Sequence, residues 1–279
     1  MLPDVLAGRR WLVLTGAGVS TDSGIPDYRG PGSVARSPMT YQEFLGSEPN
    51  RRRYWARAHV GWSRMSGAEP NAIHHWLAAR QAELTGLITQ NVDTLHDRAG
   101  HRGVIELHGR IDRIRCLECG AVSPRAALHE RLDALNPGWS AQEAVALPDG
   151  DVALEATQGF VLAPCEDCGG RLKPDVVFFG ESVPKDVVAR SFALVEEADA
   201  LVVLGSSLQV MSGLRFVRRA AKRGIPIVIV NRGATRGDDL ATVKLDDDVA
   251  ETLRRWDLVP RPQDFGVGIM RLDAAAKTS

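Results

Sequence analysis

The chain has 279 residues, of which 44% are hydrophobic, and its formal net charge is −1 at pH 7. This length allows one large core and a smaller module, and the near-neutral charge gives no reason to expect a nucleic-acid ligand. The longest apolar runs fall far short of the ~18 residues that a membrane-spanning helix needs. Too few residues precede the first predicted strand for a signal peptide, so we expect a cytoplasmic protein.

Short β-branched runs alternate with helical stretches along the chain. Runs of this kind are typical of buried parallel strands. The predicted strands are Trp11–Thr15, Leu87–Thr89, Val104–Leu107, Val176–Phe179, Leu201–Leu204 and Ile227–Val230, and the predicted helices include Val187–Ala198 and Gly213–Arg223. The alternation indicates the α/β class, with a doubly wound, mostly parallel, Rossmann-like sheet.

Five segments of unusual composition each come directly after a predicted strand. They are Gly-Ala-Gly at 16–18, Gln-Asn-Val-Asp at 90–93, His-Gly at 108–109, Gly-Ser-Ser at 205–207 and Asn-Arg-Gly at 231–233. Ligands of open parallel sheets bind at the carboxyl ends of the strands. A hydrophobic core has no reason to prefer one end of every strand, so these segments predict a ligand site at that edge.

The first of these segments indicates the class of ligand. Its glycines allow a tight turn, and the N–H groups at the start of a following helix would favour a pyrophosphate. Thr21 stands at the third glycine position of the dinucleotide fingerprint, and no acidic residue ends a second strand about twenty residues later. The loop that follows, 23–29, contains Pro, Asp, Tyr and Arg in succession and could cover a nicotinamide ribose. This pattern argues against a hydride-transferring dehydrogenase.

All four cysteines fall in two Cys-x-x-Cys pairs, Cys116/Cys119 and Cys165/Cys168. Two such pairs are typical of one structural zinc ion held by four thiolates, with no position left for water. Two disulfides or a redox pair are the alternatives, but no signal peptide precedes the pairs and no further thiol could resolve them. We predict one structural Zn²⁺, and a helix over 124–135 between the pairs.

Six motifs occur along the chain in a fixed order. They are Gly-Ala-Gly-Val-Ser-x-x-Ser-Gly-Ile-Pro-Asp-Tyr-Arg at 16–29, Thr-Gln-Asn-Val-Asp-x-Leu-His at 89–96, Glu-Leu-His-Gly at 106–109, the two cysteine pairs, Lys-Pro-Asp-Val-Val-Phe-Phe-Gly-Glu at 173–181 and Gly-Ser-Ser-Leu-Gln-Val at 205–210. In these motifs the chain resembles the sirtuins, the NAD-dependent protein deacylases, over roughly residues 11–253. Segments 54–57, 60–62 and 238–240 are most similar to the class II branch, which includes the lipoamidase and ADP-ribosyltransferase sirtuin.

The resemblance implies an enzyme that cleaves NAD to nicotinamide and transfers the acyl group of an acyl-lysine protein or peptide to ADP-ribose. In the family, a base activates a ribose hydroxyl while the acyl oxygen attacks C1′. His108 matches that base, and imidazole titrates in the range that the role needs. Gln90, Asn91 and Asp93 match the polar set of the nicotinamide pocket, although polar residues of this kind also occur simply as turn formers.

The resemblance also implies the remaining contacts. The implied NAD-binding residues are Gly16, Ala17, Gly18, Ser20, Ile25, Pro26, Asp27, Tyr28, Arg29, Gln90, Asn91, Asp93, Gly205, Ser206, Ser207, Asn231, Arg232, Gly233 and Val249. Val177, Phe178, Phe179 and Gly180 match the segment that pairs with an extended substrate peptide, where main-chain hydrogen bonds supply affinity. An ordinary buried strand is the alternative for that segment.

Two insertions set the predicted domain organisation. We expect residues 1–35, 85–111 and 173–279 to form the Rossmann-like NAD-binding domain. The helical insertion 36–84 and the zinc-binding insertion 112–172 are expected to form the small domain, with the ligand cleft between the two domains. The tail beyond Asp257 is expected to be loose, and nothing in the sequence implies an oligomer.

Acyl specificity is predicted from Tyr54 and Arg57, which spell the Tyr-x-x-Arg pair that binds negatively charged acyl groups in some sirtuins. They lie several residues earlier than the family's pattern, and the small residues Ala58 and Gly61 stand near the expected positions. We therefore expect no dedicated succinyl pocket. The aromatic stretch 54–65 either lines a channel for a longer acyl chain or packs as the buried side of a helix.

Three function classes follow. A protein deacylase leads, and a protein mono-ADP-ribosyltransferase that uses the same pocket is the alternative. The complete set of Gln90, Asn91, Asp93 and His108 argues against a non-catalytic NAD sensor.

Overall fold

A computed structural model describes residues 3–28, 38–142, 152–154 and 156–257. Arg29 and the predicted loose tail lie outside these residues. Nine strands are assigned within the described ranges: β1 (Trp11–Thr15), β2 (Leu84–Thr89), β3 (Ile105–Glu106), β4 (Gly109–Cys116), β5 (Val122–Pro124), β6 (Leu172–Val176), β7 (Ala200–Leu204), β8 (Ile227–Val230) and β9 (Val243–Leu245).

Eight α-helices connect these strands within the same described ranges. They are α1 (Tyr41–Gly46), α2 (Glu48–Gly67), α3 (Ala72–Ala79), α4 (Leu95–Arg98), α5 (Arg125–Leu135), α6 (Lys185–Glu197), α7 (Met211–Arg223) and α8 (Val249–Asp257). Among the described helices, none is both long and apolar enough to cross a membrane.

The large sheet has six parallel strands in the order β3-β2-β1-β7-β8-β9. Every residue of β1, β7 and β8 is buried, which is why these strands are continuous apolar runs. α6 and α7 cover one face of the sheet, while α3 and α8 pack against the other. The predicted class, a doubly wound Rossmann-like sheet, is confirmed. Strand β9 was missed because its three residues are only partly buried.

The predicted parallel strand Val176–Phe179 is wrong. The strand at this point is β6, which ends at Val176 and pairs antiparallel with β4 in a second, three-stranded sheet of order β5-β4-β6. The run is apolar for another reason: Phe178 packs against the rings of Phe44 and Tyr54 at centroid distances of 5.3 and 5.1 Å.

The helical and zinc-binding insertions share one hydrophobic cluster. Phe44 and Trp55 from the helical segment pack with Ile114, Leu128 and Leu132 from the cysteine-containing segment. By contrast, α3 contributes Ile73 and Leu77 to the core of the large sheet. The exact domain boundaries remain a prediction.

Candidate functional site

A cavity of about 1220 Å³ lies at the carboxyl edge of the large sheet, where the loops after β1, β2, β3, β7 and β8 meet. Every predicted site residue of the sheet edge and of the peptide segment that the structure describes lines it. These residues are Gly16, Ala17, Gly18, Ser20, Ile25, Pro26, Asp27, Tyr28, Gln90, Asn91, Asp93, His108, Val177, Phe178, Phe179, Gly180, Gly205, Ser206, Ser207, Asn231, Arg232, Gly233 and Val249. Segments far apart in the sequence therefore meet at one site.

The loops after β1 and β7 pack backbone against backbone, which explains their glycines. Gly16 and Gly18 donate their N–H groups to the carbonyls of Leu204 (3.0 Å) and Gly205 (2.9 Å). A Cβ at Gly16 would lie 2.7 Å from Cβ of Ser206, and one at Gly18 would lie 2.9 Å from Cα of Gly205. These two N–H groups are therefore engaged inside the protein, and pyrophosphate binding by other N–H groups of the loop stays a prediction.

In place of the helix that was predicted after this loop, the structure has shorter 3-10 turns. Two 3-10 turns, Ala17–Val19 and Thr21–Ser23, follow β1, and Gly24 ends the second turn in the left-handed conformation with φ of 81°. The chain then enters the loop 25–28, whose residues line the cavity.

Ser20, Asn91 and Asp93 form a hydrogen-bonded network in the cavity wall. The Ser20 hydroxyl donates to Oδ2 of Asp93 at 2.7 Å and accepts from Nδ2 of Asn91 at 3.0 Å. The other carboxylate oxygen of Asp93 accepts the N–H of Leu95, the first residue of α4. Burial raises the pKa of Asp93 above its usual value. Asp93 and Ser20 thus orient the Asn91 amide.

His108 presents its Nε2 lone pair at the cavity wall. Its Nδ1 lies 2.8 Å from the backbone carbonyl of Gln90, and because a carbonyl can only accept, Nδ1 carries the proton. Nε2 lies 2.8 Å from the Ser212 hydroxyl, which donates to it. Burial lowers the pKa of His108, and the Arg215 charge lowers it further against the opposing effect of the Gln90 carbonyl. The ring is therefore neutral at pH 7 and can accept one proton.

Ser212 and Gly213 were missed from the sequence. Besides the contact of Ser212 with His108, a Cβ at Gly213 would lie 2.7 Å from Oε1 of Gln90. The Gln90 amide is fixed there, because its Nε2 donates to the Ser206 hydroxyl at 2.8 Å and to the Thr15 carbonyl at 3.2 Å. Their position in the sequence could have indicated them, because both residues lie in the first turn of α7, directly after the motif at 205–210.

The segment after β8 is tied to the loop that follows β9. The N–H of Gly233 donates to Oδ1 of Asp246 at 2.7 Å, and Arg232 forms an ion pair with Asp248 at 3.0 Å. Val249, at the start of α8, is 5% exposed and also lines the cavity. In the order of the strands, β8 is four positions away from β3, the strand that His108 follows. These residues therefore form the end of the cavity that is remote from His108.

The segment 177–180 follows β6 and lines the cavity next to His108. The N–H of Val177 donates to the carbonyl of His108 at 2.8 Å, and the carbonyl of Phe179 accepts from Tyr41 at 2.9 Å. Phe178 is 8% exposed, whereas Phe179 is 39% exposed. Consecutive side chains therefore point to opposite sides, as in an extended backbone, before Gly180 turns the chain with φ of 78°.

The aromatic stretch of α2 divides between the cavity and the core. Tyr54 and Met65 line the cavity. Trp55 packs in the core instead, with Nε1 donating to the carbonyl of Leu172 at 3.0 Å, and Trp62 stacks on the buried guanidinium of Arg125. The packing of this stretch as the buried side of a helix is thus confirmed for Trp55, while a channel for a longer acyl chain stays a prediction.

The four cysteine sulfurs form one cluster. Sγ of Cys116 lies 3.5 Å from that of Cys168, Sγ of Cys119 lies 3.8 Å from that of Cys165, and all four lie within 4.8 Å of one another. Four thiolates at about 2.3 Å from a tetrahedral zinc ion have just such separations, whereas a disulfide requires about 2.05 Å. The cluster fits the predicted structural zinc and excludes the predicted alternative of two disulfides.

Comparisons with known proteins agree with this site. Residues 16–212 match the profile of the Sir2 family. The chain belongs to the Sir2 family. This sirtuin is 59% identical over 256 residues to NAD-dependent protein deacetylase 1 of Mycobacterium avium, with 89% of this chain and 91% of that protein covered. It is 56% identical over 248 residues to NAD-dependent protein deacetylase 1 of Streptomyces coelicolor, with 87% and 83% covered.

Solved structures give the same relationship. This sirtuin superposes on Sir2 with a p53 peptide and NAD⁺ at a TM-score of 0.73 and 33% identity, and on Sir2 bound to an acetylated peptide at 0.71 and 32%. In both cases 90% of this chain and 94% of the other are covered. The family match includes His108 and all four cysteines, while 231–233 and Val249 lie beyond it.

Proposed function

We propose that this sirtuin is an NAD-dependent protein-lysine deacetylase that releases nicotinamide and transfers the acetyl group to ADP-ribose. The observation that carries the proposal is His108, a neutral imidazole that lines the cavity, with its Nδ1 proton held by the Gln90 carbonyl and its Nε2 bound by the Ser212 hydroxyl. The names of its bacterial relatives support the same activity.

The cavity suits a dinucleotide together with a lysine side chain. Its volume of about 1220 Å³ exceeds the roughly 300–1,000 Å³ of ordinary small-molecule sites. Polar side chains line the ends of β1, β2, β7 and β8, where the bound NAD would lie. Bound NAD supplies the bond to nicotinamide that breaks and the ribose that accepts the acetyl group.

The residues of this chain then have separate roles. Once the Ser212 hydroxyl turns away from Nε2, His108 accepts the proton of a sugar hydroxyl there and can return it later. Gln90 fixes the ring through its carbonyl, and Ser20 and Asp93 hold the Asn91 amide toward the nicotinamide end. We assign Asp93 to positioning, because both of its carboxylate oxygens already accept hydrogen bonds inside the protein.

The acyl group is proposed to be neutral. Arg57 does not line the cavity; its Nε donates to the carbonyl of Val152 at 2.7 Å. Tyr54 and Met65 face the cavity in its place. This supports acetyl or another uncharged acyl group over succinyl. We also propose that the chain belongs to the class II branch, because the sequences of segments 54–57, 60–62 and 238–240 resemble that branch.

Product analysis tests the proposal. The full chain, incubated with NAD and an acetyl-lysine peptide, should release nicotinamide in a one-to-one ratio with deacetylated peptide and acetyl-ADP-ribose. His108→Ala should lower turnover by about 10²–10⁴-fold while the affinity for NAD, measured by calorimetry, changes little. An ADP-ribosylated protein formed without deacetylated peptide would instead support the mono-ADP-ribosyltransferase.

A further inference from the structure

A groove lies between α6 and α7 on the outside of the molecule. The two helices pack through the rings of Phe192 and Phe216, with centroids 5.0 Å apart. Beside this contact lies a groove of about 410 Å³, here called the α6–α7 groove, lined by Phe192, Glu196, Arg215, Arg218, Arg219 and Lys222. Arg215 lines both the groove and the cavity, so the two lie next to each other.

The α6–α7 groove is strongly cationic although the chain as a whole is not. Four of its six lining residues carry a positive charge. Its one carboxylate, Glu196, is already bound by Arg219 at 2.5 Å and Arg223 at 3.4 Å. Arg218 and Lys222 are exposed. The groove therefore presents an excess of positive charge to solvent.

This charge arrangement is unfavourable for the isolated helix. Arg215 and Arg219 are four residues apart on α7, as are Arg218 and Lys222, and like charges at this spacing repel each other. An anionic ligand in the groove would relieve that repulsion, and guanidinium groups bind carboxylates in a directional, bidentate manner.

We propose that the α6–α7 groove binds acidic residues of the protein substrate, on the stretch of polypeptide that leaves the cavity past Arg215. This inference rests on the proposed deacetylase function and adds a substrate class to it: acetyl-lysines with aspartate or glutamate on one side. Arg215 and Lys222 are about 10 Å apart along the helix, a length that about three residues of extended peptide span. The acidic residues would therefore lie within a few positions of the acetyl-lysine.

Binding of matched peptides to the full chain tests this inference without turnover. The probes are fluorescent acetyl-lysine peptides with three aspartates before the lysine, three aspartates after it, or three asparagines in either place. We expect one aspartate peptide to bind about tenfold more tightly than its asparagine match at low salt. The preference should shrink as salt is raised, because screening weakens exposed charge pairs.

Charge reversal locates the effect. In a variant that combines Arg218→Glu with Lys222→Glu, the preferred aspartate peptide should bind more weakly than its asparagine match. A control that combines Arg64→Glu with Arg254→Glu makes the same change in net charge at exposed residues outside the cavity and groove, and should keep the preference. Equal binding of all peptides by the unaltered protein, or the same loss in both variants, would overturn the inference. If none of the peptides bound or was deacetylated, the proposed function itself would fail.

Discussion

The large sheet and the zinc-containing small module are stabilised in different ways. Strands β1, β7 and β8 bury every residue, and each is hydrogen-bonded to parallel neighbours on both sides. The shared cluster of the two insertions instead contains aromatic rings and two of the cysteines, and the guanidinium of Arg125 is buried beside it over the Trp55 ring at 4.7 Å. We therefore expect the sheet to hold the site residues at its edge independently, and the small module to depend on the zinc ion that its four thiols fit.

Removal of zinc would separate the two regions most clearly. A chelator should lower the protection of amides in 109–142 and 156–176 against hydrogen exchange by at least about 4 kcal/mol, since structural zinc supplies folding free energy on the order of 10 kcal/mol. Deacetylation should stop, while amides of β1, β7 and β8 keep their protection.

Two controls accompany the chelator. Re-addition of zinc should restore both protection and activity. Glu118→Gln changes a carboxylate that lies beside the cluster and binds Arg171, and it should leave one zinc ion per chain. Simultaneous loss of protection in the sheet and the module would show that they are not stabilised separately.

Acid should weaken both regions through buried histidines. His59 in the small module and His74 on α3 are fully buried, and burial lowers the pKa of each to about 4. The unfolded chain binds protons near pH 6.5 while the folded chain does not, so the free energy of unfolding is highest above pH 6.5 and falls as the pH drops toward 4. The loss should reach about 3 kcal/mol for each ring.

Urea unfolding at several pH values measures this effect. His59→Gln keeps a donor for Asp133, which Nε2 of His59 contacts at 3.1 Å, but removes the titrating ring, so the pH dependence should become shallower. Ser66→Gln, at an exposed position of α2 with no titrating group, is the control and should leave the slope unchanged. Equal slopes in both variants would contradict the assignment to buried rings.

Gly213→Ala should give the smallest change in stability but a clear change in function. Alanine favours the helix by about 1 kcal/mol, which offsets the clash of its Cβ with the Gln90 amide 2.7 Å away. We expect the melting temperature to change little and the KM for NAD to rise several-fold, because Gln90 is displaced. Gly67→Ala, in α2 with open space around the position, should leave the KM unchanged. Unchanged kinetics in both variants would show that the Gln90 amide does not contribute to the site.

The sequence predicted the central strands to within a few residues, because they are short, apolar and bounded by turn residues. The prediction of a parallel strand at Val176–Phe179 was wrong. There Val176 ends a strand that pairs antiparallel with β4, and Phe178 is apolar because it packs in an aromatic cluster. Nor could the sequence show what the glycines at 16 and 18 contact. Close contact with the loop after β7 explains them, and such a contact between residues nearly 190 positions apart leaves no mark in a local pattern.

By itself, the sequence determined the α/β class from hydrophobic periodicity and the four candidate zinc-binding thiols from their spacing. It indicated the candidate base His108 through the resemblance of its motif to the sirtuins. Only the tertiary structure decided how His108 is protonated and what contacts it. Its Nδ1 partner is a backbone carbonyl and its Nε2 partner is Ser212, 104 residues away on α7. A ring's tautomer and pKa depend on the atoms that surround it in space, and folding, not the order of residues, brings those atoms together.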